Sequence, residues 1–192
     1  MKVNETFLSL QGEGYFTGTA AFFLRLSGCN LRCPFCDTQH QSYTEMSEDE
    51  IVAEASRHKP RHVVITGGEP ALQLSRTLVD KLHAAGFFIQ VETNGTLPLP
   101  EGIDWVTCSP KGDFPQFPVD ELKVLFMGDV TDPEAIISPL LGKESGVKLY
   151  LQPLDTGDEM RNRIILRDTI AYVLQHPKWS LSLQTHKLLG IK

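Results

Sequence analysis

Cys29, Cys33 and Cys36 crowd into the run Cys29-Asn-Leu-Arg-Cys33-Pro-Phe-Cys36. A C-x3-C-x2-C spacing on one short loop can place three thiolates on three corners of a cubane iron–sulfur cluster. The fourth iron is then left without a protein ligand, and a substrate or cofactor can chelate it. The same thiolates would also suit zinc, with His40 near enough to complete a Cys3His set. Zinc motifs generally pair two knuckles, and the chain has no second Cys/His cluster. In a reducing compartment such clustering argues for a metal or redox site over a disulfide framework. Cys108 stands alone at a predicted strand end, where a small buried hydrophobe is the simplest reading.

Two further segments carry chemistry. In Thr66-Gly67-Gly68-Glu69-Pro70 the glycines let backbone approach a ligand closely, and the carboxylate can accept from an ammonium. The same residues also make a plain turn. Arg25 interrupts the apolar stretch AAFFLRL. An arginine is rarely buried unpaired, so it either grips an anion through two parallel hydrogen bonds or makes an ion pair at an exposed strand position.

These residues need elements to hold them. Ala20–Ser27 reads as a strand running into the cysteines, and Ser47–Arg57 as a helix with Ser47 as N-cap and Glu50 closing a capping box. Arg61–Thr66 reads as a strand, Ala71–Ala85 as a helix ending at Gly86, and Phe87–Glu92, Asp104–Cys108 and Glu121–Phe126 as strands. A helix over Pro133–Leu141, a strand over Val147–Gln152, a helix over Met160–Gln175 and a last strand over Leu181–Gln184 follow. Alternating strands and helices predict a parallel α/β architecture. About six strands plus a first segment are fewer than a closed eight-stranded barrel needs, so the expectation is one domain over 1–192 forming an open, partial β/α barrel. The cysteines, Gly67–Pro70, Thr93–Gly95, Ser109–Lys111 and Gln152–Asp155 all fall directly after strands, on the rim where β/α enzymes build their sites.

The 192 residues include 41% hydrophobic and 22% charged side chains, ordinary soluble usage and enough length for a substantial core. Eighteen basic against 24 acidic residues give a net charge of −6, which offers no broad footprint for a nucleic acid. No apolar run approaches a transmembrane length, and the start MKVNET is polar where a secretory signal would be basic and then apolar. The expectation is a soluble cytoplasmic protein with neither nucleic-acid nor membrane partners.

The triad after a strand, with Phe35 before its third cysteine, resembles the radical S-adenosylmethionine (SAM) superfamily, and Thr66–Pro70 resembles that superfamily's GGEP motif. Within it, Leu10-Gln-Gly-Glu-Gly14, Arg25–Cys29, Cys36-Asp-Thr38, Val91–Thr96, Ser109-Pro-Lys111, Gln152–Asp155 and Leu183–Lys187 together resemble the 7-carboxy-7-deazaguanine synthase family over nearly the whole chain. A small radical-SAM activase acting on a protein partner would share the triad but lack these segments as a set. The resemblance implies conversion of 6-carboxy-5,6,7,8-tetrahydropterin to 7-carboxy-7-deazaguanine, with ring contraction and loss of ammonia, on the queuosine and deazapurine route. It implies a [4Fe-4S] cluster on Cys29, Cys33 and Cys36. Reductive cleavage of SAM would yield a 5′-deoxyadenosyl radical that removes a substrate hydrogen, with SAM regenerated afterwards. Phe35, Cys36 and Asp37 would line the adenosine side. Gly68 and Glu69 would hold the methionyl end, helped by Ser109, Pro110, Lys111 (otherwise a solvated surface lysine), Gln152, Pro153, Leu154 and Asp155. Leu10, Gln11 and Gly12 would contact the pterin edge, Glu13 its guanidine-like nitrogens and Arg25 its carboxylate. Thr66 and Gln184 would also touch substrate, and the tail would fold back so that Lys192 does too, where relatives carry Pro. Thr38, otherwise a turn or cap residue, would ligate Mg2+. An external flavodoxin-like electron donor and a homodimer are implied as well.

Overall fold

The computed structural model describes residues 1–39, 41–112, 115, 117–140 and 146–192. Nine strands form one sheet: β1 (Lys2–Leu10), β2 (Ala20–Leu26), β3 (Thr44–Glu45), β4 (His62–Gly67), β5 (Phe88–Thr93), β6 (Trp105–Cys108), β7 (Glu121–Phe126), β8 (Lys148–Pro153) and β9 (Ser180–Leu181). Their order is β3-β1-β2-β4-β5-β6-β7-β8-β9. β1 runs antiparallel to both β2 and β3, whereas every pair from β2 to β9 is parallel. The sheet is open, as expected of a partial barrel. The helices are α1 (Glu48–Ser56), α2 (Arg76–Ala84), α3 (Pro133–Ile137), α4 (Glu159–Gln175) and α5 (Thr185–Leu189). Among the described residues none is long and apolar enough to cross a membrane.

The two-residue period of the strands sorts the faces. Phe22, Leu24 and Leu26 of β2, Val63 and Ile65 of β4, and Ile89 and Val91 of β5 pack on one face against Ile51 of α1 and Leu78, Val79 and Leu82 of α2. Leu122, Val124 and Phe126 of β7 join Leu151, Cys108, Ile137 and Trp179 in a second cluster flanked by α4. Each such side chain contributes about 1.5–3 kcal/mol when fully buried. The intervening residues face the other way. Toward the C-terminal rim they are polar, namely Arg25, Thr66, Glu92, Thr107, Lys123 and Gln152, whereas Ala21, Phe23 and Val64 form a small apolar cluster with Phe7 on the same face.

The N-terminal ends of β4, β5 and β6 are covered by the turn after β1. Phe16 meets His62, Phe88 and Trp105 edge to face, and Tyr15 stacks on Trp105 with centroids 4.8 Å apart. This aromatic plug leaves the C-terminal rim as the open end of the inner face.

The capping box at α1 forms as the sequence predicts, with the Ser47 side chain accepting from Glu50 N and the Glu50 carboxylate accepting from Ser47 N. Three boundaries differ by more than one residue. The helix expected over Ala71–Ala85 splits into a 3-10 turn at Pro70–Leu72 and α2, because Ser75 caps a new start by accepting from Leu78 N. The helix expected over Pro133–Leu141 stops at Ile137 and tightens into a 3-10 turn over Ser138–Leu140, and Leu141 lies outside the described residues. The last strand is Ser180–Leu181 instead of Leu181–Gln184. Ser182 turns its hydroxyl onto Gln152 Oε1 at 2.8 Å, and Gln184 precedes the short helix α5.

Candidate active site

The cysteine loop leaves the end of β2 and is pinned by the glycine pair at the end of β4. Gly68 N donates to Leu26 O and Glu69 N to Gly28 O at 3.0 and 2.9 Å. A Cβ on Gly68 would lie 2.0 Å from Gly28 O, and one on Gly67, whose φ is +142°, would lie 2.0 Å from Leu26 O. No side chain fits there, so the two loops close to backbone contact. Glu69 is fully buried and spends both carboxylate oxygens on the protein: Oε1 accepts from Ala71 N and Thr93 Oγ1, and Oε2 from Asn94 N. Asn94 and Thr96 in turn reach Asn30 in the cysteine loop.

All three loop cysteines are free thiols. They line a cavity of about 230 Å3 together with Phe35, Asp37, Gly68, Ser109, Lys111 and the Gln152–Asp155 turn. Lys111 Nζ donates to Ser109 Oγ at 2.6 Å and stands 5.7 Å from the Phe35 ring centre. It is therefore built into the wall and is not a solvated surface lysine. Three free thiols on one loop over a glycine cradle fit a cluster with an open corner. Among the described residues no three His, Cys, Asp or Glu side chains converge on a point as ligands of a single ion, and His40 lies outside the described residues. Cys108 is fully buried in the outer core, and burial pushes its thiol up to about 12, so it stays protonated.

A second cavity of about 750 Å3 adjoins the first and shares Glu13, Asp37, Thr66, Glu92 and Gln184 with it. Leu10, Gln11, Gly12, Arg25, Thr38 and Lys192 also line it. One end is cationic. Arg25 Nε donates to Glu5 Oε1 at 3.0 Å, Lys192 Nζ donates to Glu5 Oε2 at 2.6 Å, and Arg25 Nη1 lies 3.5 Å from Thr38 Oγ1. α5 closes one side of this cavity. Thr185 N donates to Gly12 O, and Lys187 pairs with both Asp37 and Asp155, joining the C-terminal segment to both cavity rims.

The inner end is acidic, around one lysine. Lys123 Nζ bonds Glu13 Oε2 and, at 3.0 Å, Glu92 Oε2. Gln11 and Gln90 donate to Glu92 Oε1 at 3.1 and 3.0 Å, and Gln184 donates to Glu13 Oε1 at 2.8 Å. Burial alone would raise Glu13, yet the adjacent ammonium holds it at about 2. Burial wins at Glu92, whose carboxyl is raised despite the same cation. One turn of the pleat below, Glu121 Oε2 accepts from Tyr15 N and Trp105 Nε1, while its Oε1 is buried without a partner.

Burial, reinforced by the Glu92 charge, pushes Glu121 up to about 7. A carboxyl whose folded value exceeds its unfolded value costs stability once pH rises above the unfolded value, and the full cost is present above about 7. Glu121→Gln is therefore expected to gain on the parent protein between pH 5 and 9 by up to ~3 kcal/mol. Urea unfolding at the two ends of that range measures it, and a constant difference would refute the buried charge.

Of the residues that the resemblance assigns to cluster, cofactor, substrate or metal, Glu69 and Pro110 line neither cavity. Glu69 braces the loops instead. The others gather at the two adjoining cavities, while Glu5, Glu92, Asn94 and Lys123 were missed. Glu92 and Lys123 carried the signal that exposed Arg25, a charge interrupting an apolar strand (FIQVET and ELKVLF).

Residues 24–122 match the Radical SAM superfamily model, so fold and cysteine loop define a radical SAM protein. The 7-carboxy-7-deazaguanine synthase of Bacteroides thetaiotaomicron is 50% identical, covering 100% of this chain and 98% of its own. That of Caulobacter vibrioides is 42% identical over 98% of each chain. The crystal structure of QueE from Escherichia coli superposes with a TM-score of 0.75 at 32% identity, covering 95% of this chain and 92% of that one. The chain belongs to the 7-carboxy-7-deazaguanine synthase family of radical SAM enzymes. That membership implies a [4Fe-4S] cluster and SAM.

Proposed function

We propose that the enzyme converts 6-carboxy-5,6,7,8-tetrahydropterin to 7-carboxy-7-deazaguanine in the cytoplasm, with Cys29, Cys33 and Cys36 holding the cluster and the second cavity holding the pterin. The observation that carries this reading is the pair of cavities with a common wall, one lined by the thiols and the other polarised from Arg25 to Glu13 and Glu92. When bound, the cluster and SAM supply one-electron chemistry able to remove a hydrogen from an unactivated carbon.

The chain's own residues bind, orient and exclude water. Phe35, Asp37, Gly68, Ser109, Lys111 and Gln152–Asp155 surround the cofactor, and Glu69 and Pro110 shape the loops behind them. At the mouth of the second cavity Arg25 offers its guanidinium to the substrate carboxylate, and Lys192 adds a second positive charge beside it. Thr38, within reach of Arg25, contributes its hydroxyl to a Mg2+ that the same carboxylate completes, an oxygen-rich site such as magnesium prefers. At the inner end Glu13 and Glu92 accept from the heterocycle's N–H groups, while Leu10, Gln11, Gly12, Thr66 and Gln184 supply the remaining polar contacts. Each buried polar atom left unmatched would cost on the order of 1–3 kcal/mol, which favours this donor–acceptor pattern over other flat carboxylates. An external one-electron donor of the flavodoxin type and a homodimeric assembly complete the proposal.

The test is anoxic incubation of reduced, cluster-loaded protein with the carboxytetrahydropterin and SAM. Formation of 7-carboxy-7-deazaguanine with SAM largely recovered is the expected result. Cleavage of SAM with no deazapurine would leave the radical chemistry standing and refute the substrate.

A further inference from the structure

Lys123 lines the cofactor cavity but not the substrate cavity, whereas the two carboxylates it binds line both. Its side chain is 5% exposed, and those of Glu13 and Glu92 are each 17% exposed. β7 places it there by alternation: Leu122 and Val124 enter the outer core, so Lys123 must point inward. The other ionisable groups bearing on this cluster are Glu121 from β7, His186 from α5 and Lys111 from the loop after β6.

Two carboxylates sharing a poorly hydrated site cannot both stay ionised without a cation between them. A carboxyl that takes up a proton turns one acceptor into a donor, facing the N–H groups of the proposed ligand. From this geometry we infer that Lys123 is a positioning residue for substrate: from the cofactor side of the partition, its ammonium bonds Glu13 and Glu92, favours their charged forms against burial and aims them as paired acceptors into the substrate cavity. The inference rests on the pterin reading above and adds a residue that works through the two carboxylates.

The experiment is equilibrium binding of 6-carboxy-5,6,7,8-tetrahydropterin to cluster-loaded protein without oxygen, with SAM binding measured in parallel. Lys123→Met is expected to weaken the pterin by about 30-fold or more, since one acceptor is lost and a donor gained, while SAM, whose cavity the lysine also lines, weakens by less than about tenfold. Adding Glu92→Gln to that variant removes the competing like charge while Glu13 keeps its hydrogen bond from Gln184, so the charged form of Glu13 is favoured again and roughly tenfold of the lost affinity returns. A lysine that merely fills space would show no such rescue. Pterin affinity within about threefold of the parent in Lys123→Met, or a double variant no tighter than the single one, would overturn the inference. Should Lys123→Met not fold, Glu92→Gln is compared with the double variant. Loss of the lysine should then cost less than about threefold, and a tenfold loss counts against the role. Failure of the parent protein itself to bind the pterin, with SAM still bound, strikes the substrate assignment instead.

Discussion

Replacing Cys29, Cys33 or Cys36 by alanine is expected to take iron and sulfide from about four each per chain to near background, with loss of the brown colour. All three thiols sit on one loop against one cavity, and among the described residues the remaining cysteine, Cys108, is buried in the outer core. Its sulfur also lies where a Cβ on Gly95 would fall, 2.6 Å away, and so is held in packing. Cys108→Ala is accordingly expected to leave iron and sulfide unchanged and to cost about 1 kcal/mol through the small void it opens. Anoxic reconstitution followed by iron and sulfide analysis and urea unfolding measures both. A Cys29→Ala protein that still holds four irons would refute the ligand assignment. Equimolar zinc with no visible absorption in the parent would refute the cluster.

Arg25→Ala is expected to weaken the carboxytetrahydropterin by about 100-fold, near 3 kcal/mol, because a guanidinium grips a carboxylate through two charge-assisted bonds. Arg25→Lys keeps the charge but loses the fork and should fall between. The resident partner of Arg25 is Glu5, and Lys192 holds that carboxylate from its other side. Glu5 thus keeps a cation, Lys192, when Arg25 turns to substrate. Loss of the partly exposed Arg25–Glu5 pair itself costs at most about 1 kcal/mol of stability. Cluster content should not change. Calorimetric binding beside iron analysis separates the two effects, and unchanged affinity would remove Arg25 from the substrate site.

Much of this was legible along the chain because the signals are local. The capping box needs residues three apart, the cysteine spacing eight residues, and the glycine pair its neighbours. Boundaries blurred where tertiary contacts compete with local preference. Ser182 bonds Gln152 and receives a hydrogen bond from Gly14 N, which ends β9 two residues after it starts. α5 carries no side-chain cap bond at its start and docks through Thr185 on Gly12. Neither contact partner is near in sequence.

The sequence by itself determined the three thiolates, the glycine approach, the alternation of strands and helices from Ala20 onward and the rim on which the chemistry gathers. All of these depend on residue type and on spacing within one loop or one strand period. Only the tertiary structure decided that Glu69 braces loops, that Lys123 is shared by Glu13 and Glu92, and that Glu5 stands between Arg25 and Lys192. Those pairings join residues from 20 to 187 positions apart, and whether a charge is matched, protonated or left alone depends on which neighbours the folded sheet brings to it.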